Sequence, residues 1–388
     1  MRERLAADLS ALDREGMRRR LRAFEGETST RAVIDGREVV VFAGNDYLGL
    51  ARHPEVVRAA AIALERYGAS ATASRLVSGD SPSYRRLERA LARLKQHEAA
   101  LVFPTGYHAN LGVLATLAGR ADGVYLDKLD HASIYDGVAL SGATLRRYPH
   151  ADLARLAEML AVGDDARRRF IVTDGVFSMD GDLAPLPRLR ELADEHGCIL
   201  VVDDAHGTGV VGEGGGGTCA ALCAHADIEI GTLSKALGSV GGFVACDEVV
   251  ASYLVNKARP FIFTTGLPPA SVAASTRAVE LLAEEPWRQA RVLELAGRVR
   301  SRLAAAGFRI PDGVTPIVPI VVGDASTAVR LSEACLAEGV FVPAIRPPSV
   351  PPGTARLRLT LSAAHTDDEV EYALTVLTSV GREWGIGG

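Results

Sequence analysis

Residues 198–209 read CILVVDDAHGTG, and this stretch decides the fold class. Its first half, CILVVD, is apolar and rich in β-branched residues, which is typical of a strand buried inside a sheet. Two carboxylates and a histidine follow at once, at Asp203, Asp204 and His206. Ligands of open parallel sheets bind at the carboxyl ends of the strands. The stretch therefore predicts a buried parallel strand with functional side chains at its end.

The chain around this strand alternates short apolar runs with helical patterns. Between residues 98 and 246 this alternation predicts an α/β fold, in which a mostly parallel sheet is joined by crossover helices. A helix is predicted over residues 82–96, because its leucines fall on one face and its arginines on the other. The predicted strands are AALVF (99–103), FIVTD (170–174), CILVVD (198–203), DIEIGT (227–232) and GGFVAC (241–246).

The composition is that of a soluble enzyme. The 388 residues are 48% hydrophobic and 23% charged, which excludes a disordered chain, and no apolar run approaches the roughly 20 residues that a membrane-spanning helix needs. A net charge of -5 gives no electrostatic reason to expect nucleic acid. The charged N-terminus lacks the apolar core of a secretory signal, and the five cysteines form no CxxC pair. We therefore expect a cytoplasmic protein without disulfides or a metal site.

A change of composition near residues 256–270 predicts a domain boundary. There the stretch NKARPFIFTTGLPPA interrupts the α/β pattern, and one long helical segment over 270–306 follows. Strands are predicted at TPIVPIVV (315–322) and ARLRLTL (355–361). The predicted parts are an N-terminal helical segment that packs with the small domain or a partner subunit (1–40), a large domain (41–265), and a connecting helix with a smaller α+β domain (266–388).

Only four of the 43 basic residues are lysines, so a mechanism that needs an amine has few candidates. Lys95 lies in a charged amphipathic helix, and Lys128 and Lys257 lie in hydrophilic or proline-broken stretches. Lys235 follows a predicted strand and is flanked by small and hydroxyl residues. Partial desolvation there lowers the pKa of a lysine and suits it to Schiff-base formation and proton transfer. Lys235 is therefore the best candidate amine.

A carboxylate and a lysine at neighbouring strand ends match the needs of pyridoxal 5′-phosphate (PLP). Asp203 would keep the pyridine nitrogen protonated, and Lys235 would hold the aldehyde. The stretch TGYHAN (105–110) opens a helix after a strand and offers N–H groups to the phosphate, with hydroxyls at Thr232 or Ser234 in addition. Two plainer interpretations stay open at this point. The DDAH run also fits a helix N-cap with a satisfied histidine, and His131, a candidate to stack on the ring, also fits an ordinary turn.

Several stretches together resemble the α-oxoamine synthases. These fold-type-I PLP enzymes condense an amino acid with an acyl thioester and release carbon dioxide. The resemblance covers nearly the full length of the chain. The matching stretches are GNDYLGL (44–50), HAS (131–133), VTDGVFSMDGD (172–182), VVDDAHGTGVVGE (201–213), TLSKALGS (232–239) and AIRPPSVPPGTARLRLTLSAAH (344–365).

The resemblance implies a role for each matching residue. Lys235 would carry the cofactor, Asp203 would pair with its pyridine nitrogen, and His206 would bond its phenolic oxygen. His131 would stack on the ring and face the substrate. The further cofactor contacts would be Gly106, Tyr107, Ser178, Thr232 and, from a second subunit, Thr265; the substrate contacts would be Asn45 and Arg358 at the amino-acid carboxylate, and Arg18 and Ser349 at the acyl group.

The RPPSVP turn (346–351) most resembles that of the biotin-pathway member of the family. The implied activity is that of a homodimer that joins L-alanine to a pimeloyl thioester of coenzyme A or a carrier protein. One alternative is a sibling that uses glycine or another acyl thioester. Others are an aminotransferase or decarboxylase of the same fold, and a binding protein without catalysis.

Overall fold

A computed structural model describes residues 1–14, 18–19, 21–26, 28–162 and 166–387. The helices are α1 (Arg2–Arg14), α2 (Pro54–Tyr67), α3 (Pro82–Lys95), α4 (Gly106–Leu117), α5 (Ala132–Ser141), α6 (Leu153–Val162), α7 (Leu186–His196), α8 (Thr218–Ala221), α9 (Glu248–Lys257), α10 (Arg259–Ile262), α11 (Pro269–Glu284), α12 (Trp287–Ala305), α13 (Ala325–Ala337) and α14 (Asp367–Glu383). The strands are β1 (Arg31–Ile34), β2 (Arg37–Val41), β3 (Ala99–Phe103), β4 (Gly123–Asp127), β5 (Thr144–Tyr148), β6 (Arg169–Asp174), β7 (Cys198–Asp203), β8 (Ile228–Thr232), β9 (Gly242–Cys246), β10 (Ile317–Gly323), β11 (Val340–Phe341), β12 (Ala344–Ile345) and β13 (Ala355–Thr360).

The central sheet has seven strands in the order β3-β9-β8-β7-β6-β4-β5. Strand β9 runs antiparallel to both of its neighbours, and the other pairs are parallel, so the predicted mostly parallel α/β sheet is confirmed. All five strands predicted for this sheet are present. The prediction missed β4 and β5. Strand β5 lies at the sheet edge with an exposed TLRR segment, so its sequence lacks the apolar run of a buried strand.

Apolar side chains cover both faces of this sheet. One cluster joins the strands to α4, α5 and α10 through residues such as Leu101, Val113, Ile134 and Phe261. A second cluster joins the opposite face to α6 and α7 through residues such as Leu156 and Leu189. Because both faces are covered, the strands are buried along their length, and polar side chains are accommodated at the strand ends.

Two small sheets lie outside the central sheet: β10-β13-β12 comes from the C-terminal part of the chain, and β1-β2-β11 joins this part to the N-terminal strands β1 and β2. Strand β2 pairs with β11 in parallel, and Arg22 forms an ion pair with Glu333, so described parts of the first 41 residues pack against this region. The boundaries proposed at residues 40 and 265 stay predictions. The single helix expected over 270–306 was wrong, because the chain breaks at Glu285 and Pro286 between α11 and α12. Proline lacks the N–H group that a continuous helix would need there.

No helix within the described ranges is long and apolar enough to cross a lipid bilayer.

Candidate active site

Three parallel strands end in polar residues at one edge of the central sheet. Asp174, Asp203 and Thr232 are the last residues of β6, β7 and β8, and Asp174 and Asp203 are direct partners in the strand register. A cavity of about 250 Å³ opens at this edge. It is lined by eight of the predicted site residues, namely Gly106, Tyr107, His131, Ser178, Asp203, His206, Thr232 and Lys235.

The carboxylate of Asp203 is fixed from both sides. Its Oδ2 accepts a hydrogen bond of 2.6 Å from Asn110 Nδ2, and its Oδ1 accepts one of 3.0 Å from the backbone N–H of Ala205. The side chain is buried but still reaches the cavity wall. An oriented carboxylate of this kind is suited to accept a hydrogen bond from a protonated ring nitrogen.

A hydrogen-bond chain extends from Asp203 to His131. The amide of Asn110 also donates to Ser133 Oγ at 2.9 Å, and Ser133 Oγ lies 2.7 Å from His131 Nδ1. Because the serine oxygen accepts from Asn110, its own proton is free to go to Nδ1. Burial lowers the pKa of His131, against the opposing charge of Asp203, so the ring is neutral and its Nε2 carries the proton. One chain of side chains thus orients both the carboxylate and the imidazole.

Lys235 follows β8 and faces the same cavity. Burial lowers its pKa to about 8, although the carboxylates of Asp203 and Asp174 oppose this shift. A sizeable fraction of its amine is therefore unprotonated near neutral pH and available as a nucleophile or base.

The opposite end of the cavity is suited to an anion. Thr105 caps α4 by accepting a hydrogen bond of 3.1 Å from His108 N, so the amides of Gly106 and Tyr107 begin the helix without partners inside it. A Cβ at Gly242 of β9 would lie 2.4 Å from Gly106 N, so only glycine permits this close approach. The hydroxyls of Thr232 and Ser234, 2.8 Å apart, lie on the same wall. Backbone amides and hydroxyls are typical phosphate ligands.

A second acidic side chain with an altered pKa lies at this edge. Asp174 lines the cavity, and the backbone N–H of Asp174 donates to Asp130 Oδ1 at 2.8 Å. Burial and neighbouring negative charge raise the pKa of both Asp130 and Asp174 well above the usual value. Both carboxyl groups therefore hold a proton more readily than an exposed aspartate does. No cluster of His, Cys, Asp or Glu in the described part of the chain is arranged to hold a metal ion.

Tyr47 lies between His206 and Asn45, one of the two residues predicted to bind the amino-acid carboxylate. The hydroxyl of Tyr47 lies 2.7 Å from His206 Nδ1 and 3.2 Å from Asn45 Oδ1. Arg358, buried on β13, donates from Nε to the backbone oxygen of Ser178 at 2.5 Å. Burial lowers the pKa of His206 well below its usual value, and the positive charges of Lys235 and Arg358 act in the same direction. The His206 ring is therefore neutral.

Five predicted residues do not line this cavity: Asn45 and Arg358, described above, and Arg18, Ser349 and Thr265. Arg18 and Ser349 line a second cavity of about 480 Å³, together with Arg19, Arg22 and Arg346. There Arg19 Nη2 donates to Ser349 Oγ at 3.3 Å, and Arg346 Nη2 donates to the backbone oxygen of Arg18 at 3.0 Å. Arg20, the remaining member of the arginine cluster at 18–22, lies outside the described residues. Thr265 forms a β-bridge with Ser74 and does not line the main cavity.

Lys95 lies in the charged amphipathic helix α3, as predicted, but on the buried face of that helix. Its side chain is fully buried, and its Nζ donates to Asp204 Oδ2, to Glu229 Oε2 at 2.9 Å and to the backbone oxygen of Gly216 at 2.9 Å. Burial alone would lower the pKa of Lys95, but the charges of Asp204 and Glu229 outweigh it and raise that pKa. A Cβ at Gly217 would lie 1.7 Å from Asp204 Oδ2, so this ion cluster is tightly enclosed.

Sequence reasoning missed Asn110, Ser133 and Tyr47 as functional side chains. A signal existed for Asn110, since it lies one helical turn after Gly106 on α4 and is a lone amide among apolar residues. Ser133 and Tyr47 stand inside the HAS and GNDYLGL stretches, but only the fold brings them beside His131 and His206. No local pattern indicated that Lys95 meets Glu229, which is 134 residues away.

Comparison with known proteins agrees with this geometry. The sequence profile of the family "Aminotransferase class I and II" matches residues 37–377. The 8-amino-7-oxononanoate synthase of Trichlorobacter lovleyi is 48% identical over 98% of this chain and 98% of its own. The serine palmitoyltransferase of Sphingomonas wittichii superposes with a TM-score of 0.94 at 34% identity, covering 99% of this chain and 98% of that one. A serine palmitoyltransferase from S. paucimobilis, solved with a PLP-myriocin aldimine, gives a TM-score of 0.93 at 33% identity over 98% of both chains.

The fold-type-I architecture and the resemblance seen in the sequence are thereby confirmed. The profile spans most of the chain, and the relatives are matched over nearly their whole length. The chain belongs to the class I and II aminotransferase family and, within it, to the α-oxoamine synthases.

Proposed function

We propose that the chain catalyses the decarboxylative condensation of L-alanine with a pimeloyl thioester to 8-amino-7-oxononanoate, carbon dioxide and free thiol, in biotin biosynthesis. The acyl carrier is coenzyme A or an acyl carrier protein. The observation that carries the proposal is that eight residues assigned from the sequence line one cavity at the carboxyl edge of the sheet. The 48% identity to an 8-amino-7-oxononanoate synthase supports this choice among the family's activities.

PLP is the cofactor, and the side chains of the cavity fit it. Asp203 would hold the pyridine nitrogen, the amine of Lys235 would hold the aldehyde, and the N-terminus of α4 would hold the phosphate. When bound, PLP supplies an electron sink for the negative charge that develops at the amino-acid Cα.

Lys235 has two tasks in this proposal. Its amine would hold the cofactor, and the same amine, when free, would act as the base that removes the Cα proton of the amino acid. A pKa near 8 suits the second task, because general bases work best when their pKa lies close to the working pH. His131 covers the ring from the end of α5, where Ser133 orients it.

Asn45 and Arg358 are proposed to hold the amino-acid carboxylate. The Arg358 guanidinium is buried, and its charge reaches both Lys235 and His206, so it lies at the edge of the reacting centre. A guanidinium binds a carboxylate through paired, charge-assisted hydrogen bonds. This binding would fix the orientation of Cα relative to Lys235.

The second cavity is proposed to receive the acyl substrate. It combines apolar walls at Phe341 and Ile345 with arginines at 18, 19, 22 and 346. A pimeloyl chain ends in a carboxylate, and an apolar channel binds such a charge poorly unless a cation meets it. Removal of the right arginine, Arg18 or Arg346, should then lower kcat/KM for pimeloyl thioester by about 10- to 150-fold, with little effect on heptanoyl thioester.

We also propose a homodimer in which Thr265 reaches the partner's cavity. Close to Thr265, the side chains of Leu76, Val77 and Phe263 are 52%, 80% and 70% exposed. Exposed apolar groups that cluster in this way are typical of subunit interfaces. A cytoplasmic location agrees with five free cysteine thiols, four of them buried.

Release of thiol from a matrix of substrates tests the function. The matrix pairs L-alanine, glycine and L-serine with pimeloyl, heptanoyl and palmitoyl thioesters, each on coenzyme A and on a carrier protein. We expect turnover to be highest with L-alanine and a pimeloyl thioester. Faster thiol release with glycine, serine or an acyl chain without the distal carboxylate would identify a sibling activity instead.

A further inference from the structure

Tyr47 is a buried tyrosine that the proposed reaction does not yet use. It lies in the turn after β2, and its side chain is completely buried. Its backbone oxygen accepts a hydrogen bond of 2.8 Å from Ala363 N, and its backbone N–H donates to Asn45 O at 2.8 Å. Tyr47 is therefore held firmly against the segment that follows β13.

The hydroxyl of Tyr47 has one proton and two possible acceptors. His206 Nδ1 lies at 2.7 Å and Asn45 Oδ1 at 3.2 Å, so the shorter contact favours donation to the histidine. The guanidinium of Arg358 lies close enough to lower the pKa of Tyr47 against the rise caused by burial. Because a guanidinium can only donate, Arg358 cannot accept the tyrosine proton, which leaves His206 and Asn45 as its acceptors.

This arrangement fixes the protonation of the His206 ring. The ring is neutral, so it carries a single N–H. If Nδ1 accepts from Tyr47, the proton must be on Nε2, the ring nitrogen left for a group in the cavity that His206 lines. A hydroxyl that pointed to Asn45 instead would leave Nε2 without a proton.

We propose that Tyr47 is a positioning residue that holds His206 as an Nε2–H donor toward the phenolic oxygen of the cofactor. This inference rests on the proposed function, in which His206 meets that oxygen. Donation from Tyr47 to Nδ1 orients the ring and also makes Nε2–H a stronger donor, because successive hydrogen bonds polarise one another. The cofactor is thereby held with its phenolic oxygen deprotonated.

Tyr47→Phe tests the proposal through the colour of the bound cofactor. The phenolate form of lysine-bound PLP is yellow, whereas the form with a protonated phenolic oxygen absorbs in the near ultraviolet. We expect Tyr47→Phe to lower the ratio of the yellow to the ultraviolet band by about 2- to 10-fold, the effect of one net hydrogen bond. Tyr125→Phe is the matched control, since it removes a fully buried hydroxyl from β4, outside the cavity. Its ratio should equal that of the wild type.

The outcomes separate this inference from the proposed function. A band ratio that changes in His206→Asn but not in Tyr47→Phe overturns the positioning role alone. A ratio that changes in neither variant removes His206 from the phenolic oxygen, and a wild-type protein that forms no yellow adduct with PLP overturns the proposed function. Should Tyr47→Phe not fold, ¹⁵N chemical shifts of His206 in the wild-type holoenzyme decide: a proton on Nε2 supports the proposal, and a proton on Nδ1 overturns it.

Discussion

Lys95 and Lys235 are both surrounded by protein at the same sheet, yet their amines are held in opposite chemical states. Lys95 donates to two carboxylates and one backbone oxygen, and its pKa is raised. Lys235 faces a cavity, has carboxylates nearby but no hydrogen-bond partner for its amine among the described residues, and its pKa falls to about 8. Burial is common to both lysines, so it is the missing partner that makes Lys235 reactive.

The carboxylates beside these lysines are consecutive in sequence. Asp203 ends β7 and lines the cavity, whereas Asp204 points to Lys95 and also accepts from Thr208 and Thr218. Neighbouring residues of an extended chain point to opposite sides, so one dipeptide serves both regions. The DDAH run therefore places one carboxylate in the cavity wall and the next in a buried ion cluster.

The largest expected effect comes from Lys235→Ala. Loss of a general base alone costs about 10²- to 10⁴-fold in rate, and here the amine that anchors the cofactor is lost as well. The variant should bind PLP without a yellow adduct and have no measurable turnover. In the wild type, borohydride reduction followed by peptide mapping should label Lys235. A label on Lys95 would show that Lys95, and not Lys235, is the reactive amine.

Asp203→Asn and Asp204→Asn should separate the two halves of the dipeptide. The first variant should still bind PLP but lose the partner of the pyridine nitrogen, so exchange of the alanine Cα proton with solvent should fall by orders of magnitude. Asp204→Asn should exchange this proton faster than Asp203→Asn does, but its free energy of unfolding should fall further. Proton NMR measures the exchange rate of each variant, and urea unfolding measures its stability. If Asp203→Asn exchanged the alanine Cα proton at the wild-type rate, a group other than Asp203 would be the partner of the pyridine nitrogen.

The same substitution at the two lysines should change stability in opposite directions. Lys95→Met leaves Asp204 and Glu229 buried without their cation and should cost about 3–5 kcal/mol in the free energy of unfolding. Lys235→Met removes a desolvated amine without hydrogen bonds and should leave the apoenzyme at least as stable as the wild type. Urea midpoints of both apoenzymes check this. Equal losses would mean that Lys235 is also held by a partner.

The smallest effect is a difference in pH dependence. The pKa of Lys235 is lowered from 10.5 to about 8, so the unfolded chain binds more protons between these pH values and the apoenzyme gains stability as pH rises, by at most about 3 kcal/mol. Lys235→Met should lack this gain. The pKa of Glu229 is lowered to about 2, because Lys95 outweighs the effect of burial.

The contribution of Glu229 is therefore present above its ordinary pKa of 4.5 and is lost as pH falls toward 2. Glu229→Gln should lack this acid-sensitive contribution and keep the alkaline gain. Thermal unfolding of the wild type and both variants across pH measures the two contributions separately. Identical profiles for the wild type and Lys235→Met between pH 8 and 10.5 would contradict the lowered pKa of Lys235.

Periodicity and strand-end chemistry predicted the sheet and the Asp203–Lys235 pair, because both depend on residues close together in sequence. They did not predict β5, because its arginines and exposed position give it no apolar run, and they did not predict the break at Pro286. The helical pattern placed Lys95 correctly in α3 but did not reveal its buried partners, for a different reason. Its helix carries many charges, and only the packing of α3 onto the sheet shows that this lysine points inward to Glu229.

The order of strands in the central sheet also bears on synthesis of the chain. Strand β3 pairs only with β9, so residues 99–103 wait for residues 242–246 before they gain a neighbour in the sheet. Arg358 is translated later still, although it meets Tyr47 and Ser178 from much earlier segments. A nascent chain on the ribosome therefore has an unpaired strand edge while residues 104–241 are translated, and such edges promote aggregation. We expect truncation before β13 to produce insoluble protein rather than a smaller enzyme.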